Sequence, residues 1–149
     1  MKKVSKVLAA VLCVCLSIIT LTACSKYDAL LKAFEEEGYK ENTEFTTVID
    51  GIKEELEKEE YAVELHYLDK GNLTGGALII EFKSTKELQE AYKDSNTLQG
   101  FVQDVKENED IKDVYNALVD AGYAKGNCLI LPLSAVNYIE ITKIVKSVK

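Results

Sequence analysis

Residues 61–83 read YAVELHYL, DKGNLTGG, ALIIEFK, and the fold class turns on these three pieces. Over 61–68, Tyr61, Val63, Leu65 and Tyr67 alternate with Ala62, Glu64 and His66. A period of two sends apolar side chains to one face of a half-buried strand. Residues 69–76 hold Asp69, Gly71, Asn72, Gly75 and Gly76, the residue types that build turns. The apolar run at 77–83 is then the returning strand of a hairpin.

Outward from the hairpin the period becomes helical. Upstream, Tyr27, Leu30, Leu31 and Phe34 share one face of a helix over 27–37, with Gly38 as its C′ residue. A second helix is expected over 45–59, with Phe45, Val48, Ile49, Ile52 and Leu56 as its stripe and Asn42 or Thr43 as cap. Downstream, Ser84 and Glu87 form a capping box for a short helix that turns Leu88, Ala91 and Tyr92 inward. Leu98, Phe101, Val102 and Val105 predict another short helix. Ile111, Val114, Tyr115 and Leu118 predict a longer one closed by Gly122. Residues 127–133 (NCLILPL) read as a third strand, and Pro132, with no N–H, places its end at an edge or bend. Ser134 is the expected cap of a last helix bearing Tyr138, Ile141, Val145 and Val148. The sum is an α+β domain with a small sheet of about three strands, antiparallel or mixed, covered by amphipathic helices.

Two local similarities run through the chain. Gly76, Ile80 and Ser84 recur as Gly126, Ile130 and Ser134. Ala33-Phe34 followed by Gly38-Tyr39 is echoed by Ala117-Leu118 followed by Gly122-Tyr123. Shared physics of chain turns is preferred over duplication as the explanation.

The N-terminus carries a different signal. Residues 1–6 are basic, and 7–21 (VLAAVLCVCLSIITL) are apolar. That stretch falls short of the roughly 20 residues of a membrane-spanning helix and suits the apolar region of a signal peptide. It ends in Leu21-Thr22-Ala23-Cys24, which resembles the bacterial lipobox. The resemblance covers the first 24 residues only. It implies a diacylglyceryl group on the Cys24 thiol and cleavage between Ala23 and Cys24 by signal peptidase II. The expected division is therefore a signal peptide over 1–23, a lipidated Cys and short tether over 24–26, and one α+β domain over 27–149. Cys24 would join the protein to the outer face of the cell membrane, and two acyl chains suffice for stable anchoring.

Charge narrows the partners. All three leader charges (Lys2, Lys3, Lys6) are basic, so 15 of the 18 basic residues remain beyond residue 23 against 25 acidic ones, a net −10. Such a domain offers no basic footprint for nucleic acid and is repelled by anionic headgroups. Of the four cysteines, Cys13 and Cys15 lie in the leader and Cys24 is consumed by lipid. Cys128 has no disulfide partner and sits in an apolar run, as a core residue does.

A search for chemistry returns little. His66 is the single histidine, on the same strand face as Glu64, and is expected as a partly covered strand residue. No metal site, cofactor or catalytic constellation is expected. Runs such as Glu54, Glu55, Glu57, Glu59 and Glu60 are solvated faces. The leading expectation is a non-enzymatic binding or interaction module with an envelope protein as partner. Its candidate contact is the hairpin loop, through Asp69, Asn72 and Leu73. The alternatives are an envelope enzyme acting on glycan or peptide through dispersed carboxylates, and an accessory subunit of a membrane complex.

Overall fold

The computed structural model of the chain describes residues 26–44, 46–71, 75–101 and 111–149. The leader with Ala23 and Cys24, Phe45, the hairpin-tip residues Asn72 and Leu73, and Val102 and Val105 lie outside them. Within them, helix α1 (Tyr27–Glu36) is followed by strand β1 (Lys40–Glu41), α2 (Thr46–Lys58) and the hairpin β2 (Val63–Asp69) and β3 (Gly76–Phe82). Then come α3 (Thr85–Asp94), α4 (Asn96–Phe101), α5 (Ile111–Ala121), β4 (Ala124–Lys125), β5 (Cys128–Pro132) and α6 (Tyr138–Ser147). Among the described residues no helix is long and apolar enough to cross a membrane.

The α+β class is as expected, but the sheet has five strands rather than three, in the order β1-β2-β3-β5-β4 with every pairing antiparallel. The two additional strands are two residues each, Lys40-Glu41 and Ala124-Lys125, too short to show alternation. Both form just after a helix ends at a glycine. Gly38 and Gly122 adopt φ of 86° and 85°, which only glycine reaches without steric cost. At each, the next tyrosine donates its N–H back to the helix, Tyr39 to the Phe34 carbonyl and Tyr123 to the Leu118 carbonyl. These are Schellman caps. In the first, the Phe34 and Tyr39 rings also meet edge-on at 5.2 Å between centroids. The cap therefore explains the similarity between 33–39 and 117–123.

The 50-residue similarity separates into different roles. Gly76 lies within β3, where a Cβ would stand 2.4 Å from the Tyr67 ring, whereas Gly126 sits in the turn before β5. Ser84 caps α3 by accepting the Glu87 N–H at 3.1 Å, as expected, while the Glu87 carboxylate accepts from the Lys83 N–H, one residue before the cap, and not from Ser84 as in a full capping box. Ser134 does not cap α6. Its hydroxyl accepts from Val136 in the turn over 134–137, and the helix begins only at Tyr138.

Helices cover both faces of the sheet. On one face Val63, Leu78, Ile80, Phe82, Leu129 and Leu131 pack with Leu56 of α2, Leu88, Ala91 and Tyr92 of α3, Leu98 of α4 and Leu118 of α5. On the other, Leu68, Ala77, Ile79, Cys128 and Ile130 pack with Leu30 and Phe34 of α1 and Ile141, Ile144, Val145 and Val148 of α6. Burying an apolar side chain of this size stabilises by about 1.5–3 kcal/mol, so both layers contribute. Pro132 pairs with Ala77 but lies beyond the reach of β4, at a local edge as its missing donor demands.

The two ends of the sheet differ. At one end Lys26 donates its N–H to Asn127 Oδ1 at 3.0 Å, and its ammonium reaches the Lys149 carbonyl at 3.4 Å. At the other lie the ends of the β2–β3 hairpin and the β5–α6 connection, joined where Leu133 N–H meets the Gly76 carbonyl. The helices α1 and α6 run between these ends in opposite directions.

Candidate functional site

Alternation along β2 places Glu64, His66 and Leu68 on the face covered by α1 and α6. The hairpin register sets Glu64 directly opposite Glu81, so two carboxylates meet across the strands on that face. Like charges so placed are unfavourable. His66 stands beside them, its side chain only 16% exposed. Its Nδ1 lies 2.8 Å from Glu41 Oε1, on the short strand β1. Its Nε2 is buried without a hydrogen-bond partner, 3.7 Å from Glu81 Oε2 and 4.0 Å from Glu64 Oε2. Tyr27, the first residue of α1, stacks on the imidazole with centroids 3.7 Å apart and planes 19° apart.

The ligand atoms of Glu64, His66 and Glu81 lie within 4.8 Å of one another. Burial, followed by the charges of Glu41 and Glu81, raises the Tyr27 phenol well above its ordinary value, so the ring sits there neutral. Cys128 lies on the same face. Burial, reinforced by Glu81, pushes its thiol up to about 12. A nucleophilic cysteine needs the thiolate, so this one is a core side chain, in line with the sequence.

Sequence alternation joined His66 to Glu64 and missed Glu41 and Glu81. The hairpin register would have supplied Glu81. Nothing in the sequence pointed to Glu41, which arrives on a two-residue strand with no periodic signal.

At the opposite end of the sheet, Asp69 closes β2 and is turned inward, 3% exposed. One oxygen accepts from Asn42 Nδ2 at 2.7 Å and the other from the Gly71 N–H at 2.7 Å. Its carboxylate therefore organises the hairpin and the β1–α2 connection. Asn42 also accepts the Glu44 N–H, a turn rather than a helix cap. Beside it Lys70 donates to Glu140 Oε1 at 2.6 Å and lies 4.7 Å from the Tyr39 ring centroid, while the Tyr39 hydroxyl donates to Glu140 Oε2 at 3.1 Å.

Among the described residues, this end also carries the exposed large apolar side chains. Val136 is 87% and Ile139 62% exposed, with Leu133 and Tyr138 beside them. Leu133, Ser134, Ala135 and Tyr138 line an open groove with Pro132 and Tyr123, whose ring lies 5.8 Å from that of Tyr138. Asn137 Nδ2 donates to the Gly75 carbonyl at 2.9 Å, fixing the apolar turn against the base of the hairpin loop. Sequence reading had placed Tyr138 on the buried stripe of α6 and assigned no role to Val136 or Ile139. Val136 is exposed because α6 starts late and leaves 133–137 as a turn, and Ile139 lies on the outer side of the first turn of α6.

No family model matches the chain, and comparison with curated proteins and with solved structures finds no match to it.

Proposed function

We propose that the protein is a lipid-anchored extracytoplasmic lipoprotein that serves as a non-enzymatic interaction module, binding an envelope protein through the apolar turn over 133–139. The observation that carries this reading is the position of that turn, at the end of the sheet opposite Lys26. A lipid on Cys24 lies two residues before Lys26, so the anchored end would face the bilayer and the apolar end would face away from it. Seven residues of β2 at about 3.3 Å each separate the two by roughly 20 Å. An acidic domain is repelled by anionic headgroups, which agrees with apolar residues presented to a protein rather than to lipid. Clustered exposed apolar side chains, rimmed by the polar groups Ser134 and Asn137, are the usual form of such a contact.

The test is cross-linking mass spectrometry on intact membranes with three forms of the chain: wild type, Cys24→Ala and Val136→Glu with Ile139→Lys. The expected result is a specific protein cross-linked at 133–139 in the wild type and absent from the double variant. The double variant should keep its circular dichroism spectrum, because both side chains are exposed. Cys24→Ala should leave the membrane fraction. A partner retained by the double variant, or a Cys24→Ala form still firmly in the membrane, would sink the corresponding half of the proposal.

A further inference from the structure

We infer that Glu64, His66 and Glu81 bind a divalent first-row transition-metal ion of the zinc class, with Glu41 as the carboxylate that orients the histidine. Two features of the site point to a cation, the facing carboxylates and the histidine between them. Glu64 and Glu81 face each other directly across the β2–β3 ladder, a like-charge placement that a cation between them would relieve, while Asn127 Nδ2 donates to the other Glu81 oxygen at 3.4 Å. Glu41 Oε1 lies 2.8 Å from Nδ1 and engages that nitrogen, so Nε2 is the ring nitrogen that faces the two carboxylates. Nε2 is also buried without a hydrogen-bond partner. One ring nitrogen and two carboxylate oxygens thus converge on a single point, where a metal ion would bind all three.

The dimensions suit the ion. Zinc holds imidazole nitrogen and carboxylate oxygen at about 2.0–2.2 Å, so tetrahedral ligand atoms stand about 3.3 Å apart. The present separations from Nε2 are 3.7 and 4.0 Å. The three ligand atoms lie within 4.8 Å of one another, and rotation of Glu64, whose side chain is largely exposed, can bring them closer. An imidazole ligand selects the zinc class over magnesium and calcium, which prefer oxygen alone. The Glu41–His66 contact is the carboxylate–histidine pairing that metal-binding histidines commonly show. Three protein ligands leave one position for water. The ion would tie β1, β2 and β3 together beneath Tyr27, at the start of α1.

The experiment is calorimetric titration of the whole protein, purified in detergent, with zinc chloride, followed by X-ray absorption of the loaded protein. The expected result is one site of micromolar or tighter affinity, not displaced by millimolar magnesium or calcium, with one nitrogen and two protein oxygens in the coordination shell. His66→Ala should abolish the site, Glu81→Gln should weaken it severely, and Glu41→Gln should weaken it about tenfold. Cys128→Ser should leave it unchanged. Circular dichroism of each variant without metal verifies the fold, and zinc should raise the melting temperature of wild type but not of His66→Ala. No binding at micromolar zinc overturns the inference. Equal affinity in His66→Ala, or sulfur in the coordination shell, overturns it as well.

Discussion

Glu60 ends α2 in the left-handed region, with φ at 69°, the one non-glycine residue among those described to do so. Its backbone sits where Gly38 and Gly122 sit, with Tyr61 N–H bonded back to the Leu56 carbonyl. A side chain there costs about 1–2 kcal/mol, against about 0.5–1 kcal/mol for the greater flexibility of glycine in the unfolded chain. Glu60→Gly should therefore stabilise the domain, by about 0.5–1 kcal/mol in urea unfolding. A loss of stability would mean that the Glu60 side chain makes a contribution of its own. Glu140 gives a second residue-level expectation. Hydrogen bonds from Lys70 and Tyr39 hold its carboxyl below the usual range. A folded-state value below the unfolded one gives stability that is present above about pH 4.3 and lost as pH falls through the folded value. Both partners are more than a third exposed or close to it, so the pair is worth under about 1 kcal/mol. Glu140→Gln should lower the melting temperature at pH 7, and the difference from wild type should close below pH 4. A gap that persists in acid would assign the effect to packing.

Among the elements, those with long periodic signals were readable in advance. The β2–β3 hairpin, the Ser84 cap on α3 and the glycine ends of α1 and α5 each rest on chemistry within a few residues. What could not be read depends on partners far along the chain. The strands β1 and β4 exist because neighbouring strands pair with them, and Asn137 at the head of α6 gives its side chain to Gly75 and makes no cap bond to the helix. The His66 cluster divides the same way, with Glu64 local and Glu41 supplied by tertiary placement. Asn127 shows how one residue can join three elements. Its Nδ2 donates to the Phe82 carbonyl of β3 at 2.6 Å, its Oδ1 accepts from Lys26 at the head of α1, and it precedes β5. Asn127→Ala leaves the buried Phe82 carbonyl without this donor, at about 1–3 kcal/mol, and gives the part-exposed Lys26 N–H over to water. A loss of roughly 1–3 kcal/mol in urea unfolding, with earlier proteolysis near residue 26, is expected. A loss under about 0.5 kcal/mol, the range of ordinary surface changes, would show that water replaces both bonds.

For the whole molecule, the class was legible because strand and helix periods are both long enough to register. That the sheet is covered on both faces was written more faintly, in the unbroken apolar run of residues 77–80, where a strand with one wet face would alternate. The two layers have distinct positions in the chain. The helices between Thr46 and Ala121 take one face, while the first and last helices take the other. The two sheet ends likewise have distinct tasks in the proposed function.

The line from Lys26 to the 133–139 turn has a mechanical meaning. It runs along the strands, and antiparallel ladder bonds lie perpendicular to them. Tension between the two ends therefore lies parallel to the strands, and any ladder that carries it is loaded in shear instead of being unzipped one bond at a time.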